Sequence, residues 1–129
     1  MADSCTVVVC DDQAAFRGLV VIVLGLEAGI EVVGEAGNGL EAVSLVKELQ
    51  PDVLLLDIAM PEMDGLEALP RVREASPATQ VVMLTGLTAA TIQERALASG
   101  ASAFIEKGID IDKLGKLVLE VCRGARPTA

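Results

Sequence analysis

Short runs of apolar, often β-branched residues alternate along this chain with longer stretches in which apolar positions return every three or four residues. The first kind predicts buried strands and the second amphipathic helices. Thr6–Cys10 (TVVVC) reads as a strand bounded by Asp11, and Ala14–Leu26 as a helix ending near Gly29. Glu31–Glu35 is a second strand, followed by Gly37-Asn38-Gly39. Leu40–Leu49 is a helix, apolar at Leu40, Val43, Val46 and Leu49 and stopped by Pro51. Val53–Leu56 is a continuous apolar strand, and Leu66–Ala75 a helix expected to be short or kinked at Pro70. Gln80–Leu84 is a fourth strand, Thr91–Ser99 a helix closed by Gly100, and Ala103–Ile105 a fifth strand. Asp112–Cys122 is the last helix, with Leu114, Leu117, Val118 and Val121 on one face.

These are five βα units. Strands that are apolar on both faces imply a parallel sheet covered by helices on both sides, with right-handed crossovers. The size and alternation suit a single doubly wound α/β domain of strand order 2-1-3-4-5 over residues 1–123. Residues 124–129 (GARPTA) read as a tail or the start of an interdomain linker.

Composition narrows the function. With 52% hydrophobic residues a full core is easily built, and with no Trp or Tyr it must be aliphatic. Ten Lys and Arg face nineteen Asp and Glu, for a net charge of −9, which disfavours direct nucleic-acid binding by this chain. No apolar run approaches the roughly 20 residues that span a bilayer, so a cytoplasmic, non-membrane protein is the expectation. Cys5, Cys10 and Cys122 are odd in number and fall in apolar runs, which disfavours a disulfide scaffold. Without His or a Cys pairing motif, any metal should be held by carboxylate oxygen.

In an open parallel sheet, ligands sit beyond the carboxyl ends of the strands. There the chain places Asp11 and Asp12 after strand one, Asp57 after strand three, Thr85 after strand four and Lys107 after strand five. Singly, each has an ordinary explanation: a cap or turn Asp, a β-prone Thr, a solvated Lys. Together they predict carboxylates so crowded that a cation must neutralise them, and oxygen ligands favour a hard ion, Mg2+. A carboxylate beside Mg2+, a hydroxyl and an ammonium suits phosphoryl chemistry, with the central carboxylate as nucleophile.

From about residue 5 to 123 the sequence resembles the receiver domains of two-component response regulators. The segments that carry the resemblance are VVVCDD (Val7–Asp12), EVVGEAGNGLEAV (Glu31–Val43), PDVLLLDIAMPEMDGLEAL (Pro51–Leu69), VVMLTG (Val81–Gly86) and GASAFIEKG (Gly100–Gly108). It looks most like the subgroup fused to helix-turn-helix effectors of the NarL/LuxR type. The resemblance implies that Asp57 is the phosphoacceptor. Mg2+ would be held by Asp12, Asp57 and Asp11 (directly or through water) and the main-chain carbonyl of Ala59. Lys107 and Thr85 would bind the phosphoryl group, and Phe104 would be the aromatic switch. It implies a sensor histidine kinase as phosphodonor, a surface around strand five that switches, and a DNA-binding effector domain beyond residue 129. Gly108 stands where many receivers have Pro, making a cis bond there less assured. Gly86 replaces a common Ala, and Phe104 lacks the hydroxyl of a Tyr switch.

Two other classes fit less well. A haloacid-dehalogenase-type phosphotransferase would need a second acid two residues after Asp57, where Ala59 stands. A flavodoxin-like cofactor binder would need its glycine fingerprint after strand one, whereas Gly34, Gly37 and Gly39 follow strand two. A pseudo-receiver, used only for interaction, is opposed by the intact rim. The domain is thus expected to catalyse only its own phosphorylation and dephosphorylation. Ala59 and Leu87, which should flank the path of attacking water, offer it no base, so the acyl phosphate should be long-lived. The first helix is apolar nearly all round. Phe16, Val20, Val23 and Leu24 are expected to face the core, leaving Gly18, Val21, Ile22 and Gly25 as a flat stripe suited to a homodimer contact.

Overall fold

A computed structural model describes residues 4–86 and 90–124. The elements run β1 (Cys5–Cys10), α1 (Ala14–Gly25), β2 (Ile30–Ala36), α2 (Gly39–Leu49), β3 (Val53–Leu56) and α3 (Gly65–Ala75). They continue through β4 (Gln80–Thr85), α4 (Ala90–Ala98), β5 (Ala103–Glu106), a 3-10 turn (Ile111–Lys113) and α5 (Leu114–Cys122). The five strands form one parallel sheet in the order β2-β1-β3-β4-β5. That is the architecture expected from the alternating pattern.

Strand side chains point alternately to the two faces, and each face is buried. Val7 and Val9 of β1, Val53 and Leu55 of β3, and Val82 and Leu84 of β4 pack with Val20 and Leu24 of α1 and with Leu114, Val118 and Val121 of α5. Val8, Cys10, Leu54, Leu56, Val81 and Met83 pack on the other face against α2, α3 and Ala96 of α4. Double-sided burial is why β3 reads as an unbroken apolar run.

Local chemistry sets the element ends. The Asn38 side chain caps α2, accepting from the Glu41 N–H at 2.9 Å, and Gln50 closes that helix in a left-handed conformation (φ 46°) before Pro51. Asp64 and Glu67 form a reciprocal capping box at α3. With this cap, α3 runs eleven residues through Pro70. Pro70 lies on the exposed side, where water can serve the carbonyl that the missing N–H leaves behind. The last helix starts later than Asp112, because Ile111–Lys113 form a 3-10 turn capped by Asp110.

Two expectations need correction. The first concerns the cysteines: Cys5 and Cys122, 117 positions apart in sequence, are joined in a disulfide with Cα atoms 6.2 Å apart. The sheet brings the start of β1 beside the last turn of α5, a proximity no local spacing reveals. The second concerns α1. Val20 and Leu24 are fully buried and Phe16 packs beside them, but so does Val21, whereas Val23 is half-buried outside that cluster. At about 100° per residue, Val21 and Val23 lie on the two flanks of the direction set by Val20 and Leu24, and it is the Val21 flank that packs against the cluster. Val21 therefore leaves the proposed stripe. Ile22 and Gly25 are exposed, Gly18 is half-buried with open space at its Cβ position, and the exposed aliphatics are Leu19, Ile22 and Leu26.

Candidate functional site

The sheet's hydrogen-bond ladder runs one residue past the strand ends and carries the rim side chains with it. The Asp11 N–H donates to the Ala36 carbonyl at 3.0 Å and the Asp57 N–H to the Cys10 carbonyl at 3.0 Å. The Lys107 N–H donates to the Thr85 carbonyl at 2.9 Å. Four strands thus hold the expected residues in one cleft of about 240 Å³, lined by Asp12, Gln13, Asp57, Ala59, Thr85, Gly86 and Lys107. Glycine at 65 makes this approach possible. A Cβ there would run into the Asp57 carbonyl, and the Gly65 N–H donates to the Ile58 carbonyl at 2.9 Å.

Carboxylate oxygens of Asp11, Asp12 and Asp57 lie within 4.8 Å of one another. Asp11 and Asp57 are buried, at 3% and 4% exposure, while Asp12 is exposed. Lys107 Nζ bridges the buried pair, 2.7 Å from Asp11 Oδ2 and 3.1 Å from Asp57 Oδ2. The other Asp57 oxygen accepts from the Ile58 N–H at 2.8 Å.

Burial, and then the charge of Asp11, push the Asp57 carboxyl above the usual carboxylate range, against the pull of Lys107. For Lys107, burial works against the charge, but its hydrogen bonds to Asp11 and Asp57 outweigh it and leave the ammonium's pKa raised. The rim is therefore short of positive charge. Its donors are all oxygen, with the exposed Ala59 at the cleft wall, so the set fits a hard divalent cation such as Mg2+ and offers nothing to a soft one.

Thr85 is fully buried at the floor. Phe104 lies on the opposite side of β5 from Ile105, half-buried against the α2–α3–α4 core. No cis peptide bond occurs among the described residues, so Lys107–Gly108 is trans. Leu87 lies outside the described residues, as does the tail from 125 to 129.

Three supporting residues escaped the sequence reading. Phe16, expected only in the core, puts its ring 4.6 Å from Lys107 Nζ. Gln13 accepts from Lys107 Nζ at 3.3 Å, and its N–H donates to Asp11 Oδ1 at 2.8 Å. Arg17 donates to the Asp11 carbonyl at 2.6 Å and pairs with Glu35. Gln13 and Arg17 stand four apart at the start of α1, which was the available signal. Next to this shell, burial foremost and then Asp11 push the Cys10 thiol up to about 12. It stays neutral, 3.3 Å from the Asn38 carbonyl.

The fold and its site define a doubly wound parallel α/β domain with buried carboxylates, a threonine and a lysine at the carboxyl rim of the sheet. Residues 7–119 match the response regulator receiver domain family, and this chain belongs to it. It is 44% identical over 107 residues to a protein-glutamate methylesterase/protein-glutamine glutaminase of Paramagnetospirillum magneticum, covering 81% of this chain but 28% of that protein. The chain thus spans under a third of the methylesterase relatives it matches. It superposes on the signal receiver domain of the response regulator NarL from Mycobacterium tuberculosis with a TM-score of 0.90 and 38% identity, covering 95% of this chain and 98% of that one. It also superposes on a chain of the CheX-CheY-BeF3-Mg2+ complex from Borrelia burgdorferi with a TM-score of 0.84 and 30% identity, covering 90% and 87%. Among the described residues, no helix is long and apolar enough to cross a membrane.

Proposed function

We propose that this receiver domain is a cytoplasmic switch that takes a phosphoryl group onto Asp57 from a phosphohistidine of a sensor histidine kinase. The observation that carries the reading is the buried Asp57 carboxylate, paired to Lys107 at 3.1 Å in a cleft it shares with Asp12, Ala59 and Thr85. Asp11, Asp12, Asp57 and the Ala59 carbonyl are the residues that would hold Mg2+. The bound ion supplies charge neutralisation for the phosphoryl oxygens.

Asp57 attacks phosphorus with a carboxylate oxygen. The P–N bond of the donor breaks, its electron pair stays on the imidazole, and an acyl phosphate remains on Asp57. Lys107 is positioned to follow the new charge from the carboxylate onto the phosphoryl oxygens. Thr85 is the hydroxyl that would hydrogen-bond one of them, and Phe104, behind it on β5, would turn inward in response. The switched surface is then β5 with its flanking helices. BeF3 has the shape and charge of a phosphoryl group, so its presence with Mg2+ in the similar CheY complex supports this chemistry.

Ala59 stands where a phosphatase would need its acid, which supports a domain that turns over only its own phosphate. For the output, likeness to a DNA-binding response regulator of the LuxR family from Staphylococcus aureus supports a transcriptional effector domain. Likeness to the chemotaxis protein CheY of Listeria monocytogenes, 39% identical over 103 residues, supports a second reading, a chemotaxis-type output. With a charge of −9, the receiver itself is a poor nucleic-acid ligand.

The test is incubation with Mg2+ and a small acyl phosphate. One phosphate should appear by intact mass in the wild type and none in Asp57→Asn. Equal phosphorylation without Mg2+ would sink the mechanism.

A further inference from the structure

At the opposite end of β1 from the phosphoryl site, a second reactive pair is assembled. Cys5 opens β1 and Cys122 closes α5, and the two are joined at a Cα separation of 6.2 Å, within the usual disulfide span. Cys5 is 4% exposed, while Cys122 is half-exposed at the wall of an open cleft of about 290 Å³ shared with Asp52, Leu119 and Arg123. A thiol exchanger can therefore reach Cys122 before Cys5. The third cysteine, Cys10, is 2% exposed and five positions along β1, roughly 16 Å away, so it cannot compete.

We propose that Cys5 and Cys122 form a reversible redox latch, closed by small-molecule disulfides, that ties the last turn of α5 to the start of β1. Closing is thiol–disulfide exchange. The Cys122 thiolate attacks one sulfur of the oxidant and expels the first thiolate. The Cys5 thiolate then attacks Cys122 Sγ in the mixed disulfide and expels the second. The oxidant is reduced to two thiols, which take up the two protons lost by the cysteines, and the protein gains one S–S bond.

The closed latch anchors α5, whose Leu114, Val118 and Val121 cover the sheet, where the chain passes from α5 into residues 123 and 124. It fixes the start of that exit path and leaves the Asp57 rim untouched. Because it closes a loop with a sequence separation of 117, it removes substantial freedom from the unfolded chain.

A bound metal is the competing use of this cluster, since Cys5, Asp52 and Cys122 place three ligand atoms within 4.8 Å. Asp52, however, is engaged: its Oδ2 accepts from the Thr6 N–H at 2.9 Å and from the Thr6 hydroxyl at 3.1 Å.

The experiment equilibrates the 129-residue chain in glutathione buffers from fully reduced to fully oxidised, followed by thiol counting, intact mass and thermal melting. Three free thiols should fall to one, with a mass loss of about 2 Da and a melting temperature higher by about 10 °C. Dithiothreitol should reverse all three changes. Cys122→Ser should show no redox-dependent melting shift, and the wild type should accept phosphate equally in both states. Any of four results overturns the proposal: three thiols persisting in oxidised glutathione, a glutathione adduct as the end product, a disulfide that excess dithiothreitol cannot open, or one zinc per chain co-purifying under reducing conditions and blocking oxidation.

Discussion

The ammonium of Lys107 lies 3.1 Å from Asp57 Oδ2, although the two residues are fifty positions apart and β4 runs between their strands. The pair exists because β3, β4 and β5 run parallel and bring their carboxyl ends to one cleft. Lys107 also holds Asp11 at 2.7 Å, so one cation serves two buried carboxylates. That shortfall of positive charge shapes the behaviour expected of the site.

Lys107→Ala removes the nearest countercharge from Asp57 and, in the proposed mechanism, a ligand for the phosphoryl oxygens. A charge-assisted hydrogen bond of about 2 kcal/mol corresponds to a phosphorylation rate lower by roughly thirtyfold. Time courses with acyl phosphate check this. Whatever phosphoprotein forms should also fail to switch, seen as an unchanged environment of Phe104 by NMR.

Without metal, ionised Asp57 is a burden on the fold, since burial and Asp11 raise its pKa. A raised carboxyl pKa means protonation favours the folded state, so this group's penalty is present at neutral pH and fades as pH falls through the folded pKa. In EDTA at pH 7, Asp57→Asn should therefore melt higher than wild type, with the gap closing on acidification. Mg2+ should stabilise the wild type by mass action and the variant much less. Melting curves with and without Mg2+ over a pH series test both signs.

Ala59 lines the cleft and has no group that can orient or deprotonate water. The phosphorylated protein should accordingly be long-lived. Ala59→Asn should speed its hydrolysis roughly tenfold, measured as loss of the phosphate mass after the donor is removed. Unchanged lifetimes, also with an acid added at position 87, would refute the idea.

Gly65→Ala tests the packing beneath Asp57. The added methyl meets the Asp57 carbonyl and the Ile58 backbone, neither of which can move without displacing the rim. Overpacking of this kind should cost about 3 kcal/mol, read as a lower urea midpoint, and phosphorylation should fall even in the folded fraction.

The five βα units, the parallel sheet and its order follow from local pattern alone. Apolar runs of strand length, helical periodicity and Asn, Gly and Pro punctuation are short-range signals, and right-handed crossovers leave few ways to assemble them. The rim of Asp11, Asp12, Asp57, Thr85 and Lys107 was legible for the same reason, because parallel strands bring their carboxyl ends to one edge. Element ends moved by a residue or two where caps rather than hydrophobicity set them, as at Asn38 and in the 3-10 turn after Asp110. Only the tertiary structure decided the rest. The turn of α1 about its axis brought Val21 toward the core and Phe16 under Lys107, because on a helix apolar nearly all round the sequence pattern does not say which face packs. The meeting of Cys5 with Cys122 depends on how α5 lies across the sheet relative to β1, and a separation of 117 positions carries no local trace of that contact.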